Sequence, residues 1–74
     1  MSKIREIDQL INKKFFNTGY AWHSYGDNFI AYDIYDKNIK KVQQKIYEIA
    51  KTVDFYCCPE LSIYKHKILV SFFF

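Results

Sequence analysis

Cysteine is scarce in this 74-residue chain, and its two copies are badly spaced for the usual uses of the residue. They stand side by side as Cys57 and Cys58, directly before the only proline, Pro59. Adjacent thiols cannot frame a secreted mini-protein. Joining them to each other strains the bond, because bridge geometry wants Cα atoms further apart than chain neighbours allow. Zinc signatures separate their thiolates by a few residues, and only His23 and His66 are present to complete a set, so no metal site is expected. No apolar run approaches the length that crosses a bilayer, and MSKIREIDQL carries charges throughout, without the apolar core of a secretion signal. A cytoplasmic protein without a membrane is therefore the expectation. Eleven Lys/Arg against eight Asp/Glu leave a formal charge of +3, with no block of like charges to mark a nucleic-acid arm, so a nucleic-acid partner is not expected. No repeat, linker or low-complexity segment divides the chain, which reads as one domain, 1–74.

Aromatics are what the chain has in excess: seven Tyr, seven Phe and Trp22 make a fifth of it. A chain this short hides only about 60% of the surface its unfolded form exposes. Surplus aromatic surface then asks for cover from a partner, and a homodimer or homotetramer is expected.

Ile4, Ile7, Leu10, Ile11 and Phe15 recur at three- and four-residue steps with charged and polar residues between them, predicting an amphipathic helix over about residues 2–16 capped by Ser2. Asn17-Thr18-Gly19 ends it, the glycine being placed to accept a left-handed turn. A hairpin follows, from Tyr20 to Tyr25 and from Phe29 to Tyr35 around Gly26-Asp27-Asn28. In its second strand Ile30, Tyr32 and Ile34 share one face, and Phe29, Ala31, Asp33 and Tyr35 the other, as in a sheet covered on one side. Asp36 or Asn38 caps a second helix with the stripe Ile39, Val42, Ile46, Ile49, Ala50 and Val53. Lys40, Lys41, Lys45 and Lys51 lie off the stripe, as a solvated face or as a patch for phosphate or an anionic partner. Pro59 suits the first residue of a strand, where no ladder donor is needed. Leu61 and Ile63 then lead through a turn at Lys65-His66 to a last strand in which Ile68, Val70, Phe72 and Phe74 alternate with Lys67, Leu69, Ser71 and Phe73. The order is α-β-β-α-β-β. The fold class expected is α+β, a two-layer sandwich with a four-stranded antiparallel sheet and both helices on one face.

That order, with Gly19-Tyr20-Ala21-Trp22 at the first strand, Ile49-Ala50-Lys51 at the end of the second helix, Cys57-Cys58-Pro59-Glu60 before the third strand, and Tyr64 within it, resembles the pterin-4a-carbinolamine dehydratase family, also known for a dimerisation cofactor of a homeodomain transcription factor. The resemblance covers the chain from about Trp22 onward. It implies that the cysteine pair stands where the family has His-His, that Pro59 and Glu60 continue the motif, that Trp22 and Tyr64 border the pocket, and that Phe74 falls where the family has a third histidine. Both motif histidines are thus cysteines, the stretch from Pro59 to Tyr64 is about one residue short, and the family's C-terminal helix has no counterpart.

The family's dehydration of a 4a-hydroxytetrahydropterin needs a proton donor and an acceptor, and histidine suits both because its pKa sits near 6.5. A thiol near 8.5 is mostly neutral and donates weakly, while phenylalanine does neither. His66 belongs to the turn at the far end of the last hairpin, and His23 reads as a half-exposed strand residue. The resemblance, with its histidines replaced, thus implies a non-catalytic dehydratase-like scaffold without a cofactor; the surplus aromatics add self-association and protein binding, with Phe29, Tyr35 and Phe73, on the sheet face that helices do not cover, as interface candidates. Two alternatives stay open. One is an altered dehydratase, a hydro-lyase that uses Cys57 and Cys58 on a pterin ligand; the other is a small nucleic-acid-binding protein, although single-strand RNA readers order their elements differently.

Overall fold

The computed structural model describes residues 2–16 and 18–74. It is an α+β fold with α1 (Lys3–Lys14), β1 (Gly19–Tyr25), β2 (Phe29–Tyr35), α2 (Ile39–Val53), β3 (Glu60–Ile63) and β4 (Lys67–Phe73). The strands form one antiparallel sheet in the order β1-β2-β4-β3. Among the described residues no helix is long and apolar enough to cross a membrane.

The helices begin where the sequence supplies caps. The Ser2 hydroxyl accepts the Arg5 N–H (3.2 Å), and the Asn38 side-chain oxygen accepts the Lys41 N–H (3.2 Å), each satisfying a donor that the first turn leaves free. Asp36 does not cap the helix itself; its carboxylate accepts the Asn38 N–H (2.8 Å) and shapes the turn before it. The expected end of α1 needs one correction. Gly19 does not take a left-handed turn; no described glycine has positive φ, and Gly19 is the first residue of β1, paired with Tyr35. Phe15 closes the helix instead, donating its N–H to Ile11 (2.9 Å) and burying its ring. Asn17 lies outside the described residues.

Apolar periodicity decides the layers. Ile7, Ile11 and Phe15 from α1, and Val42, Ile46, Ile49 and Ala50 from α2, pack on Ile30, Tyr32, Ile34, Ile68, Val70 and Phe72 from the two central strands. Both helices therefore cover the same face of the sheet. The edges are weaker than the centre: β3 has only four residues after Pro59, and β1 carries a bulge at His23, because Trp22 pairs with Tyr32 while Ser24 pairs with Ala31.

In the first hairpin Gly26 is needed for space. A Cβ there would overlap Cε1 of Phe29. We expect Gly26→Ala to push that ring away, at a cost of about 1–3 kcal/mol, the usual range for overpacking. The checks are the thermal midpoint and the ring-proton shifts of Phe29 and Phe73.

Candidate functional site

Three places carry the residues that the sequence singles out. The first is the rim formed by the α2–β3 connection and the end of β4. Cys57 is buried there, its Sγ 3.9 Å from the Phe73 carbonyl oxygen, while its neighbour Cys58 is exposed; both thiols are free. Burial, aided by the nearby Asp54 carboxylate, pushes the Cys57 thiol above its ordinary range, so it stays protonated. Pro59 is buried and Glu60 points to solvent at the start of β3. Phe74 packs half-buried on the core, donates its N–H to Asn28 (2.8 Å) and has the Lys3 ammonium 5.9 Å from its ring. Lys3 itself pairs with Asp54 at 2.6 Å. Tyr64 is half exposed and sits at the opposite end of β3, where its N–H closes the turn on Lys67. Among the described residues no group of three His, Cys, Asp or Glu side chains has the arrangement of a metal site.

The second place is the seam between α1 and β1, on the far side of the sheet order from β3. Trp22 is there, away from the cysteines. Its indole N–H donates to Asp8 Oδ1 (3.0 Å), and the hydroxyl of the fully buried Tyr32 donates to the same oxygen (2.6 Å). Tyr20 donates to Asn12 one turn further along α1 (2.6 Å). The bulge at His23 adds a residue to β1 and so brings Tyr25 to the helix side with Trp22, their rings edge to face at 6.1 Å. Together with Ser2, Ile4, Arg5 and Ile30 they border an open cleft of about 320 Å³ whose lining contains neither cysteine. Nothing in the spacing of α1 marks Asp8 as a hub. Its one signal in the sequence is Tyr32, a core-facing tyrosine whose hydroxyl must find an acceptor.

The third place is the face of the sheet that no helix covers. Cross-strand register sets Phe29 opposite Phe73, Ala31 opposite Ser71, Asp33 opposite Leu69 and Tyr35 opposite Lys67. Phe29 and Phe73 stack, ring centres 6.1 Å apart. In the middle of the face Asp33 takes His23 Nδ1 on one carboxylate oxygen (3.1 Å) and has the Lys67 ammonium 3.5 Å from the other. Phe73, Tyr35 and Tyr64 keep about half of their surface in water.

The chemistry on offer differs among the three. The cysteine rim holds a protonated thiol with a carboxylate and an ammonium already engaged with each other. The seam is a set of satisfied polar contacts at the border of a cleft. The open face carries a row of aromatic and aliphatic side chains that no helix covers, with Phe73 and Tyr35 about half exposed. Comparison with protein-family models, with curated proteins and with solved structures finds no match to this chain.

Proposed function

We propose that this protein is a non-catalytic, pterin-4a-carbinolamine-dehydratase-like scaffold that works by self-association and protein binding through the open face of its sheet. The observation that carries this reading is the row of Phe29, Phe73, Leu69 and Tyr35 on the sheet face that neither helix covers, Phe73 and Tyr35 about half exposed and Phe29 and Leu69 partly so. Three strands of seven residues and one of four, rising about 3.3 Å per residue and set about 4.8 Å apart, give a face of about 400 Å². Two such faces bury about 800 Å² as flat sheets, and side-chain corrugation brings that toward the roughly 1,000 Å² of a specific interface. Charge agrees with this, since Asp33 is matched within the face by His23 and Lys67 and places no bare charge in a contact. Association through strand edges is the weaker route, because one edge is four residues long and the other is bulged.

The cysteine rim supports the non-catalytic half of the reading. A thiol held in its neutral form beside a main-chain carbonyl is a poor base, and as a small hydrophobe it suits the core.

Sedimentation velocity tests the proposal. The protein is expected to sediment as a dimer at high micromolar concentration, and Phe73→Ser to sediment as a monomer with its circular dichroism unchanged. A wild-type monomer at that concentration would remove the reading.

A further inference from the structure

The cations of this chain are scattered in sequence and gathered in space. Gly19, Tyr35 and Lys67 are register neighbours, which sets the first residue of β1, the last of β2, the first of β4 and the end of β3 at one end of the sheet. The connections from α1 to β1, from β2 to α2 and from β3 to β4 all leave from that end. The other end holds residues 26–28, the α2–β3 connection, Ser2 and Phe74, the last hydrogen-bonded to Asn28. Seven of the eleven Lys/Arg residues belong to the first end: Lys13 and Lys14 in the last turn of α1, Lys37, Lys40 and Lys41 at the start of α2, and Lys65 and Lys67 about the last turn. Only Lys67 among these seven has a carboxylate within 4 Å among the described residues. The one acid in those connections, Asp36, is turned onto the Asn38 backbone N–H.

Aromatic rings stand among these lysines. Phe16 is 79% exposed beyond α1, Tyr35 and Tyr64 are about half exposed, and Lys67 lies 5.2 Å over the Tyr64 ring. Between the lysines, Tyr35, Asp36, Lys37 and His66 line a shallow hollow of about 400 Å³.

We propose that this pole binds single-stranded nucleic acid, with lysines on the phosphates and unpaired bases stacked on the exposed rings. Separate point charges with aromatic faces between them are the standard means of holding a single strand without reading its sequence. A hollow bordered by a tyrosine, an imidazole and a carboxylate suits an extruded heterocycle that offers a flat face and donor groups; a flat bilayer has no use for it. Lys40 and Lys41 occupy the first turn of α2, which contains no acid, so their charges add to the positive end of the helix dipole. That placement costs helix stability in the free protein. A bound phosphate would relieve it, and a mismatch of local rules of this kind is where function is expected.

The test is fluorescence anisotropy with labelled oligo(dT) and oligo(rU), with vesicles of phosphatidylcholine and phosphatidylserine as a second arm. With about four phosphates engaged, a fourfold rise in salt is expected to weaken binding about 50-fold. The double variant Lys40→Glu, Lys41→Glu is expected to lose at least tenfold in affinity while its thermal midpoint rises by about 4 °C, since acids now sit at the helix N-terminus. A merely structural role for these lysines would move both quantities together. Lys51→Glu, at the other end of α2, is expected to bind as the wild type does. The proposal is overturned if the oligonucleotides do not bind at low salt, if Lys51→Glu weakens binding as much as the double variant, or if only the anionic vesicles bind.

Discussion

Phe72→Ala is expected to leave the chain without a cooperative thermal transition, or with one lowered by about 15–30 °C. Phe72 is fully buried, pairs with Ile30 across the two central strands and belongs to the cluster that both helices cover. Truncating a buried phenylalanine costs about 3–5 kcal/mol, from lost transfer energy and from the cavity that remains. A domain of this size holds only about 4–11 kcal/mol in total, so one ring accounts for a large fraction of it. Phe72→Leu, which keeps most of the volume, is expected to cost less than about 2 kcal/mol. Circular dichroism melts of the two variants check the prediction. Equal and small losses would mean that the helices do not rest on β4 as described.

Alkaline pH is expected to destabilise the protein through Tyr32, and Tyr32→Phe to resist it. The Tyr32 ring is fully buried, and its hydroxyl donates to Asp8 at 2.6 Å. Burial first, and then the Asp8 carboxylate, push its pKa well above the ordinary value of 10.0. In the unfolded chain this tyrosine ionises near 10; in the folded chain it keeps its proton. The native state therefore holds more protons than the unfolded state above that pH, and stability falls as pH rises. The contribution is complete below pH 10 and is lost at about 1.4 kcal/mol per unit, or about 2.7 kcal/mol by pH 12. At neutral pH Tyr32→Phe is expected to lose about 1 kcal/mol with the hydrogen bond. Its urea midpoint should then overtake the wild type's as pH is raised. Parallel pH profiles for the two proteins would show that Asp8 and Tyr32 do not form the pair described.

Much of the fold could be read in advance because burial imposes a period. The steps of three and four in Ile4, Ile7, Ile11 and Phe15, and the alternation of Ile68, Val70 and Phe72, each admit one face toward the core. The Ser2 cap is equally local, since a cap needs only the side chain and the first turn after it; at α2 the sequence offered Asp36 and Asn38 alike, and Asn38 takes the role. Gly19 was misleading for a related reason: glycine permits a left-handed turn without requiring one, and pairing with Tyr35 was worth more. The bulge at His23 left no mark in the alternation of β1, and with it went the placement of Tyr25 beside Trp22. Asp8 sits among the polar positions of α1 and is distinguished only by what stands across from it.

The site residues divide in the same way. Phe29, Tyr35 and Phe73 could be set on one face from strand alternation. Cys57 and Cys58 are neighbours in the chain yet differ in burial, since one side chain turns toward the Phe73 carbonyl and the other toward water.

Chain order alone determined the six elements, the inward faces of the two helices and of β2 and β4, and the Ser2 cap, because these follow from interactions between residues a few positions apart. Tertiary structure decided which carboxylate receives the buried tyrosine, where β1 bulges, and that seven lysines spread from position 13 to position 67 share one end of the molecule. Charge adds through space and not along the chain. A formal excess of three cations, mild as composition, becomes a concentrated field only once the antiparallel strands return three connections to the same end.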